Sequence, residues 1–189
     1  MRRWSRTSRS EVKFQETDIP GAFVIDIEPI ADERGFFARA WCAREFEAHG
    51  LNPSLVQANI SYNRRRKTLR GMHYQRAPHE EAKLVRCIRG ALYDVILDLR
   101  PGSETFGRWV GYELSAASHR MLYIPEGCAH GFQTLEDHTE VFYQHSAFYA
   151  PESATGVAWN DPAFGIEWPY PEDPILSPKD ASWPPFTGR

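Results

Sequence analysis

Apolar residues recur at every second position in several short stretches of this chain, the period of a half-buried strand. From Ala22 to Glu28, the side chains of Phe23, Ile25 and Ile27 fall on one face. From Ala91 to Arg100, Tyr93, Val95, Leu97 and Leu99 point one way and Asp94 and Asp98 the other, and Pro101-Gly102 then turns the chain. Arg120 to Ile124 and Thr139 to Phe148 read as further strands, the latter with Val141, Tyr143 and His145 on a common face. Helical spacing is rare. The best case is Cys42 to His49, with Phe46 on its apolar side and Gly50 as a stop. Many short strands cut by Gly, Pro, Asn and Asp predict an all-β sandwich or barrel.

The tail from Trp168 carries Pro169, Pro171, Pro174, Pro178, Pro184 and Pro185 and is unsuited to central strands. Within Leu176-Ser177-Pro178-Lys179-Asp180, Ser177 suits an N-cap and Pro178 the first helical position. A short helical turn laid over the body of the protein is expected there.

A chain of 189 residues suits one domain, read here as 1–189 with residues 1–15 as a flexible arm and 168–189 as the tail packed over the barrel. With 42% hydrophobic and 25% charged residues, the composition is that of a soluble globular protein. The formal net charge of -3 argues against a general nucleic-acid binder, so an anionic ligand must meet a local cluster of Arg and Lys. Cys42, Cys87 and Cys128 are odd in number and match no zinc or disulfide spacing, which reads as structural thiols in a reducing cytoplasm. The basic N-terminus, MRRWSRTSRS, is followed by no apolar run and is not a secretory signal; no stretch is long enough for a membrane helix.

Candidate chemistry gathers in three places. Thr68 to Gln75, followed by Lys83-Leu84-Val85, puts Arg70, His73 and Gln75 on one strand; in a regular strand Arg70 faces away from His73 and Gln75, unless Gly71 bends it. Ile124 to Phe132 is a Pro/Gly turn that could aim His130 into a barrel mouth. The third is Tyr143. By spacing alone His73 reads more often as a hydrogen-bonded structural residue than as a base, Tyr143 as core, and Lys83 as solvent-facing. The run Arg64-Arg65-Arg66-Lys67 reads as a solvated loop before a phosphate clamp.

In order along the chain, Asp32 to Phe37, Gln57 to Ser61, Leu69 to Gln75, Lys83 to Val85, Asp94 to Arg100, Thr105 to Trp109, Ala129 to Phe132, Trp159 to Pro162 and Leu176 to Asp180 resemble the dTDP-4-dehydrorhamnose 3,5-epimerase family. The resemblance spans roughly residues 20 to 180. It implies a double-stranded β-helix, the cupin jelly roll, with a few short helices, assembled as a homodimer. It also implies a nucleotide diphosphate sugar substrate, a 4-keto-6-deoxyhexose inverted at C3 and C5 or at C3 alone, and no metal or organic cofactor. By the same resemblance His73 is the base, Asp180 its orienting carboxylate, Lys83 the cation for the enolate oxygen and Tyr143 the acid. Arg34, Phe37, Gln57, Asn59, Arg70, His130 and Tyr149 are the substrate contacts it implies, with Phe37 and Tyr149 as the aromatic pair around the base.

Three positions depart from the family pattern. Arg39 stands where a glutamate is usual near the nucleobase, which leaves the nucleotide carrier open; Glu81 replaces a common glutamine, and Gln144 a common lysine. Two other readings compete. One is a metal-dependent cupin isomerase or dioxygenase using His73, Glu81 and His130, although Gln75 occupies the place where such proteins offer a second histidine. The other is a non-catalytic sugar-binding cupin.

Overall fold

The computed structural model describes residues 11–187. Its strands are β1 (Val12–Glu16), β2 (Phe23–Ile27), β3 (Ile30–Asp32), β4 (Gly35–Phe37), β5 (Gln57–Asn63), β6 (Leu69–Gln75), β7 (Lys83–Arg89), β8 (Ala91–Asp98), β9 (Trp109–Ser115), β10 (Met121–Ile124), β11 (Cys128–Thr134), β12 (Thr139–His145) and β13 (Ala154–Gly156). One short helix, α1 (Ala43–Ala48), lies between β4 and β5, and a 3-10 turn covers Asp180–Ser182.

Pairing alternates between two sheets. β5 pairs with β12 and β7 with β10 in a six-stranded sheet of order β1-β2-β10-β7-β12-β5. β6 pairs with β11, and β8 with β9, in a five-stranded sheet of order β13-β6-β11-β8-β9. The chain thus runs as one long antiparallel hairpin whose tip is β8–β9, coiled so that successive pairs fall on opposite sheets. That is the double-stranded β-helix expected from the sequence.

The interior has three apolar layers. Val24, Val85, Leu122 and Val141 of one sheet meet Leu92, Ile96, Leu114 and Phe132 of the other between the sheets. The outer face of the six-stranded sheet is covered by α1, where Phe46 packs with Phe23, Ile25, Leu84 and Tyr123. The outer face of the five-stranded sheet is covered by the C-terminal segment, with Trp168 buried against Leu69, Val95, Leu97 and Ala129. Each such fully buried side chain contributes about 2 kcal/mol. The two covered faces explain why β8 is apolar on both sides: Leu92 and Ile96 turn inward, Val95 and Leu97 outward.

The reading of residues 1–15 as a flexible arm fails for the described residues from Val12. Residues 1–10 lie outside the described residues, but Val12–Glu16 forms β1, in register with β2 from Val12↔Ile27 to Glu16↔Phe23. Phe14 stacks on His49 and meets Phe46 edge-on, which ties the strand to α1. The helix matches its expected span, with Cys42 and His49 as its caps.

One irregularity shapes the site. Between β6 and β11 the register runs from His130↔His73 to Phe132↔Arg70, so two steps on β11 correspond to three on β6. The extra residue lies beside Gly71, whose φ of +148° favours glycine. A Cβ there would sit 2.5 Å from the Gly131 Cα, so the two backbones approach too closely for any side chain. Gly71→Ala should therefore cost about 2–3 kcal/mol, seen as a lower urea midpoint with an unchanged slope. A wild-type midpoint would show that the bulge absorbs a side chain.

Candidate functional site

The bulge decides which way β6 presents its polar side chains. Strict alternation would turn Arg70 away from His73; instead both line one cavity of about 310 Å³. Its walls come from both sheets. β6 contributes Arg70 and His73, while β5, β7 and β12 contribute Asn59, Lys83, Tyr143 and His145. The C-terminal segment closes one side with Ser177, Lys179 and Asp180, and Tyr149 stands on the rim, 56% exposed.

His73 Nε2 lies 2.5 Å from Asp180 Oδ1, a contact between residues 107 positions apart. The predicted turn makes this possible: the Asp180 N–H donates to Ser177 Oγ at 3.1 Å, and Asp180 is buried where the 3-10 turn begins. Burial would raise the Asp180 carboxyl, but His73 beside it, with Ser177 and Trp183 nearby, outweighs this and holds the group below the ordinary carboxylate range. An ionised Asp180 accepts from Nε2–H and so leaves Nδ1 as the basic nitrogen of His73.

Lys83 is 7% exposed, not solvent-facing as its place in the sequence suggests. Its Nζ sits 3.2 Å from Glu81 Oε1 and donates to the His73 carbonyl at 3.4 Å, so the ammonium reaches from the six-stranded sheet to the strand that carries the imidazole. Glu81 Oε2 is 2.8 Å from His145 Nδ1, and His145 Nε2 is 3.1 Å from Asn59 Nδ2. Burial works to raise the Glu81 carboxyl, yet His145 and Lys83 together bring it below its usual value.

Tyr143 stands on the opposite wall from His73. Burial pushes its phenol above the ordinary value; nearby Arg70 opposes this and Glu81 adds to it. The group is protonated at neutral pH and available as a proton donor. Arg70 is held by its Nε donating to Asn63 Oδ1 at 2.8 Å.

Some expected contacts lie elsewhere in the single chain. His130 is buried between the sheets, with Nε2 2.8 Å from Asp94 Oδ1, and does not line the cavity; β11 carries it as an interior strand residue, not aimed into a barrel mouth by the preceding turn. Arg34 and Phe37 belong to the separate β3–β4 hairpin, where Arg34 grips Asp32 and Phe37 is 68% exposed; neither lines the cavity. Gln57 sits beside the rim and accepts from the Tyr149 N–H at 3.2 Å. Arg39 is ion-paired with Glu45 of α1.

The competing metal reading uses His73, Glu81 and His130, with Gln75 at the place where a second histidine is usual. Gln75 is instead a staple for two loops: Nε2 donates to the His79 and Phe148 carbonyls, and Oε1 accepts from the Ala150 N–H. Among the described residues no group of three or more His, Cys, Asp or Glu side chains comes together as a metal site.

The resemblance does not imply the Glu81–His145 pair; Glu81 is expected only as a ligand in the competing metal reading, and His145 only as a residue on the Tyr143 face. Strand parity carried the pair's signal, since His145 shares a face with Tyr143 and Glu81 lies two positions before Lys83. What parity could not supply is that β7 and β12 are neighbours, which brings the two side chains into contact.

Comparison with known proteins places the chain in a family. The family described as dTDP-4-dehydrorhamnose 3,5-epimerase matches residues 16–188. The dTDP-4-dehydrorhamnose 3,5-epimerase of Salmonella typhimurium strain LT2 is 44% identical over 170 residues, covering 89% of this chain and 92% of the relative. The crystal structure of the enzyme of that name from Elizabethkingia anophelis NUHP1 superposes with a TM-score of 0.90 at 41% identity, over 93% of this chain and 96% of the other. That from Bacillus anthracis strain Ames, with TDP and PPi bound, gives 0.89 at 42% identity, over 93% and 100%. Identity of this order over nine-tenths of the sequence reaches beyond a shared fold, and the chain belongs to the dTDP-4-dehydrorhamnose 3,5-epimerase family of isomerases.

Proposed function

We propose that this cavity inverts C3 and C5 of dTDP-4-dehydro-6-deoxyglucose, with His73 as base, Asp180 as its orienting carboxylate, Lys83 as the enolate-stabilising cation and Tyr143 as acid. The observation that carries the reading is the placement of an imidazole and a protonated phenol on facing sheets of one cavity, with an ammonium reaching from one wall to the other. The TDP held by the Bacillus anthracis relative supports a thymidine nucleotide as carrier.

The chemistry follows from the groups. Nδ1 of His73 takes the proton from a carbon beside the C4 ketone, and the C–H electrons move onto the ketone oxygen as an enolate. Lys83 donates to that oxygen where its charge develops, a contribution of several kcal/mol in a site of this kind. The Tyr143 O–H then delivers its proton to the opposite face of the same carbon as the enolate collapses to the ketone. His73 has gained a proton and Tyr143 has lost one; exchange with solvent resets both, and the cycle repeats at the second carbon. No bond to a cofactor is made or broken, and no electron is gained or lost overall. Arg70 at the cavity wall suits the diphosphate, since guanidinium matches phosphate geometry.

The active species is a homodimer in this reading. β5 ends the six-stranded sheet with an unpaired edge and exposes Ile60 and Tyr62, and the β3–β4 hairpin carries exposed Phe36 and Phe37. A second copy paired at this edge would bring Arg34 and Phe37 to the nucleotide, opposite Tyr149. The cytoplasm, where the free thiols of Cys42, Cys87 and Cys128 stay reduced, is the compartment this reading assigns.

Three outcomes test the reading. His73→Ala should lower solvent-deuterium incorporation at both carbons by about 10³-fold or more, followed by proton NMR; retained exchange would move the base elsewhere. Tyr143→Phe should slow inversion more than exchange, because abstraction does not need the phenol, and equal loss of both would contradict a purely acid role. Phe37→Ala should raise KM about tenfold with kcat nearly unchanged, the mark of lost base stacking; an unchanged KM would remove the hairpin from the site.

A further inference from the structure

Lys83 and Asn59 are each bonded to a group that the proposed mechanism does not use. Glu81 is almost fully buried beside Lys83, and each of its carboxylate oxygens has its own partner: Oε1 faces Lys83 Nζ at 3.2 Å and Oε2 faces His145 Nδ1 at 2.8 Å. His145, also buried, spends its other nitrogen on Asn59 Nδ2 at 3.1 Å. The amide N–H of Asn59 donates, so Nε2 must accept; Nδ1 then carries the hydrogen and donates to Glu81. The imidazole is thereby fixed in one tautomer with both nitrogens satisfied. Its ring also packs edge-to-face on Tyr143, with centroids 5.2 Å apart.

We infer that His145 and Glu81 are positioning residues for epimerisation: His145 braces the ring of Tyr143 and the amide of Asn59, and through Glu81 it fixes the ammonium of Lys83 over the cavity. The inference rests on the roles proposed above for Lys83 and Tyr143, and extends them to the groups that hold both. A lysine side chain has four rotatable carbons and keeps a single geometry in a cavity only when its donors are engaged. Of the three N–H donors on Nζ, one meets Glu81 and a second the His73 carbonyl, which leaves a third for the ketone oxygen. Without Glu81 that geometry is lost, and a buried ammonium stands without its counter-charge. Asn59 is handled similarly. With its amide nitrogen held by His145, its carbonyl oxygen remains as the acceptor for a sugar hydroxyl.

The effect falls on different constants for the two residues. Lys83 acts on charge present only in the transition state, so loosening it lowers kcat; Asn59 binds substrate and transition state alike, so releasing it raises KM. A side chain needed only for folding would not divide its effect in this way. The test uses the full chain with dTDP-4-dehydro-6-deoxyglucose, measuring kcat, KM and solvent-deuterium incorporation for Glu81→Ala, His145→Ala, His145→Gln and Lys83→Met, with circular dichroism to confirm folding. Glu81→Ala is expected to lower kcat about tenfold or more with KM within about threefold of wild type. His145→Ala is expected to lower kcat comparably and also to raise KM about fivefold. His145→Gln offers a donor and an acceptor together and is expected to restore KM, with inversion still lagging behind exchange because the ring on Tyr143 is gone. Should Glu81→Ala not fold, Glu81→Gln has the same shape with one acceptor oxygen for two donors and is expected to lower kcat at least about threefold.

Wild-type kcat in folded Glu81 and His145 variants, alongside lost exchange in Lys83→Met, would overturn the positioning role and leave the proposed function standing. Failure of His145→Gln to restore KM would likewise overturn it. Wild-type exchange in Lys83→Met would overturn both.

Discussion

A carboxylate from the C-terminal segment meets an imidazole on β6, and the rest of the site is arranged around that hydrogen bond. Asp180 and His73 are brought together only when the barrel has closed and the segment after Trp168 has been laid on the outer face of the five-stranded sheet. Trp168 buried against Leu69 and Leu97 fixes the start of that path; Leu176 and Phe186 pack on the same layer further along. The Ile175 N–H bonds the Lys67 carbonyl, and the Leu69 N–H bonds the Ile175 carbonyl, so the segment is also stitched to the entry of β6. The proline content that bars this stretch from a central strand leaves it as a strap. It delivers one short turn, capped by Ser177, at the point where the carboxylate is needed.

The opposite requirement falls on β6 itself. A strand shows alternate residues to opposite faces, but the cavity is lined by both Arg70 and His73, three positions apart. The extra residue beside Gly71 solves this, and glycine on both strands allows it, because Gly71 and Gly131 sit backbone to backbone. The price is a local departure from regular pairing, offset by the apolar layers on either side of the sheet.

Much of this was legible in the sequence because it follows from periodicity. The alternation in Ala22–Glu28, Ala91–Arg100, Arg120–Ile124 and Thr139–Phe148 gave β2, β8, β10 and β12, and Phe46 with Gly50 gave α1. Residues 12–15 fell within the expected arm, since two apolar residues, Val12 and Phe14, are too few to show a period; the strand there is made by partners, β2 and α1. Lys83 could not be read as buried without Glu81, since a lone lysine in a strand defaults to solvent. His130 was read as aimed into a barrel mouth by a Pro/Gly turn, but β11 begins at Cys128, and pairing with β8 sets His130 inward beside Asp94. In each case the missing information was a partner distant in sequence, which local pattern does not carry.

The jelly roll suits this chemistry for a reason that lies in its pairing. Successive hairpin pairs fall on opposite sheets, so residues near one another in sequence are distributed to facing walls: His73 to one sheet, Lys83 ten positions later to the other. A reaction that removes a proton from one face of a carbon and returns it to the other needs two groups on opposing surfaces at fixed separation. A single sheet or helix face would present both from the same side. With a net charge of -3 the chain cannot stabilise an enolate through its overall field; the proposed mechanism does so locally, through the buried ammonium of Lys83, which is in contact with Glu81 and with the backbone of His73. In the proposed mechanism, tying that cation to the strand that carries His73 keeps abstraction and charge stabilisation in one rigid frame, so the ketone oxygen and the acidic C–H are met together.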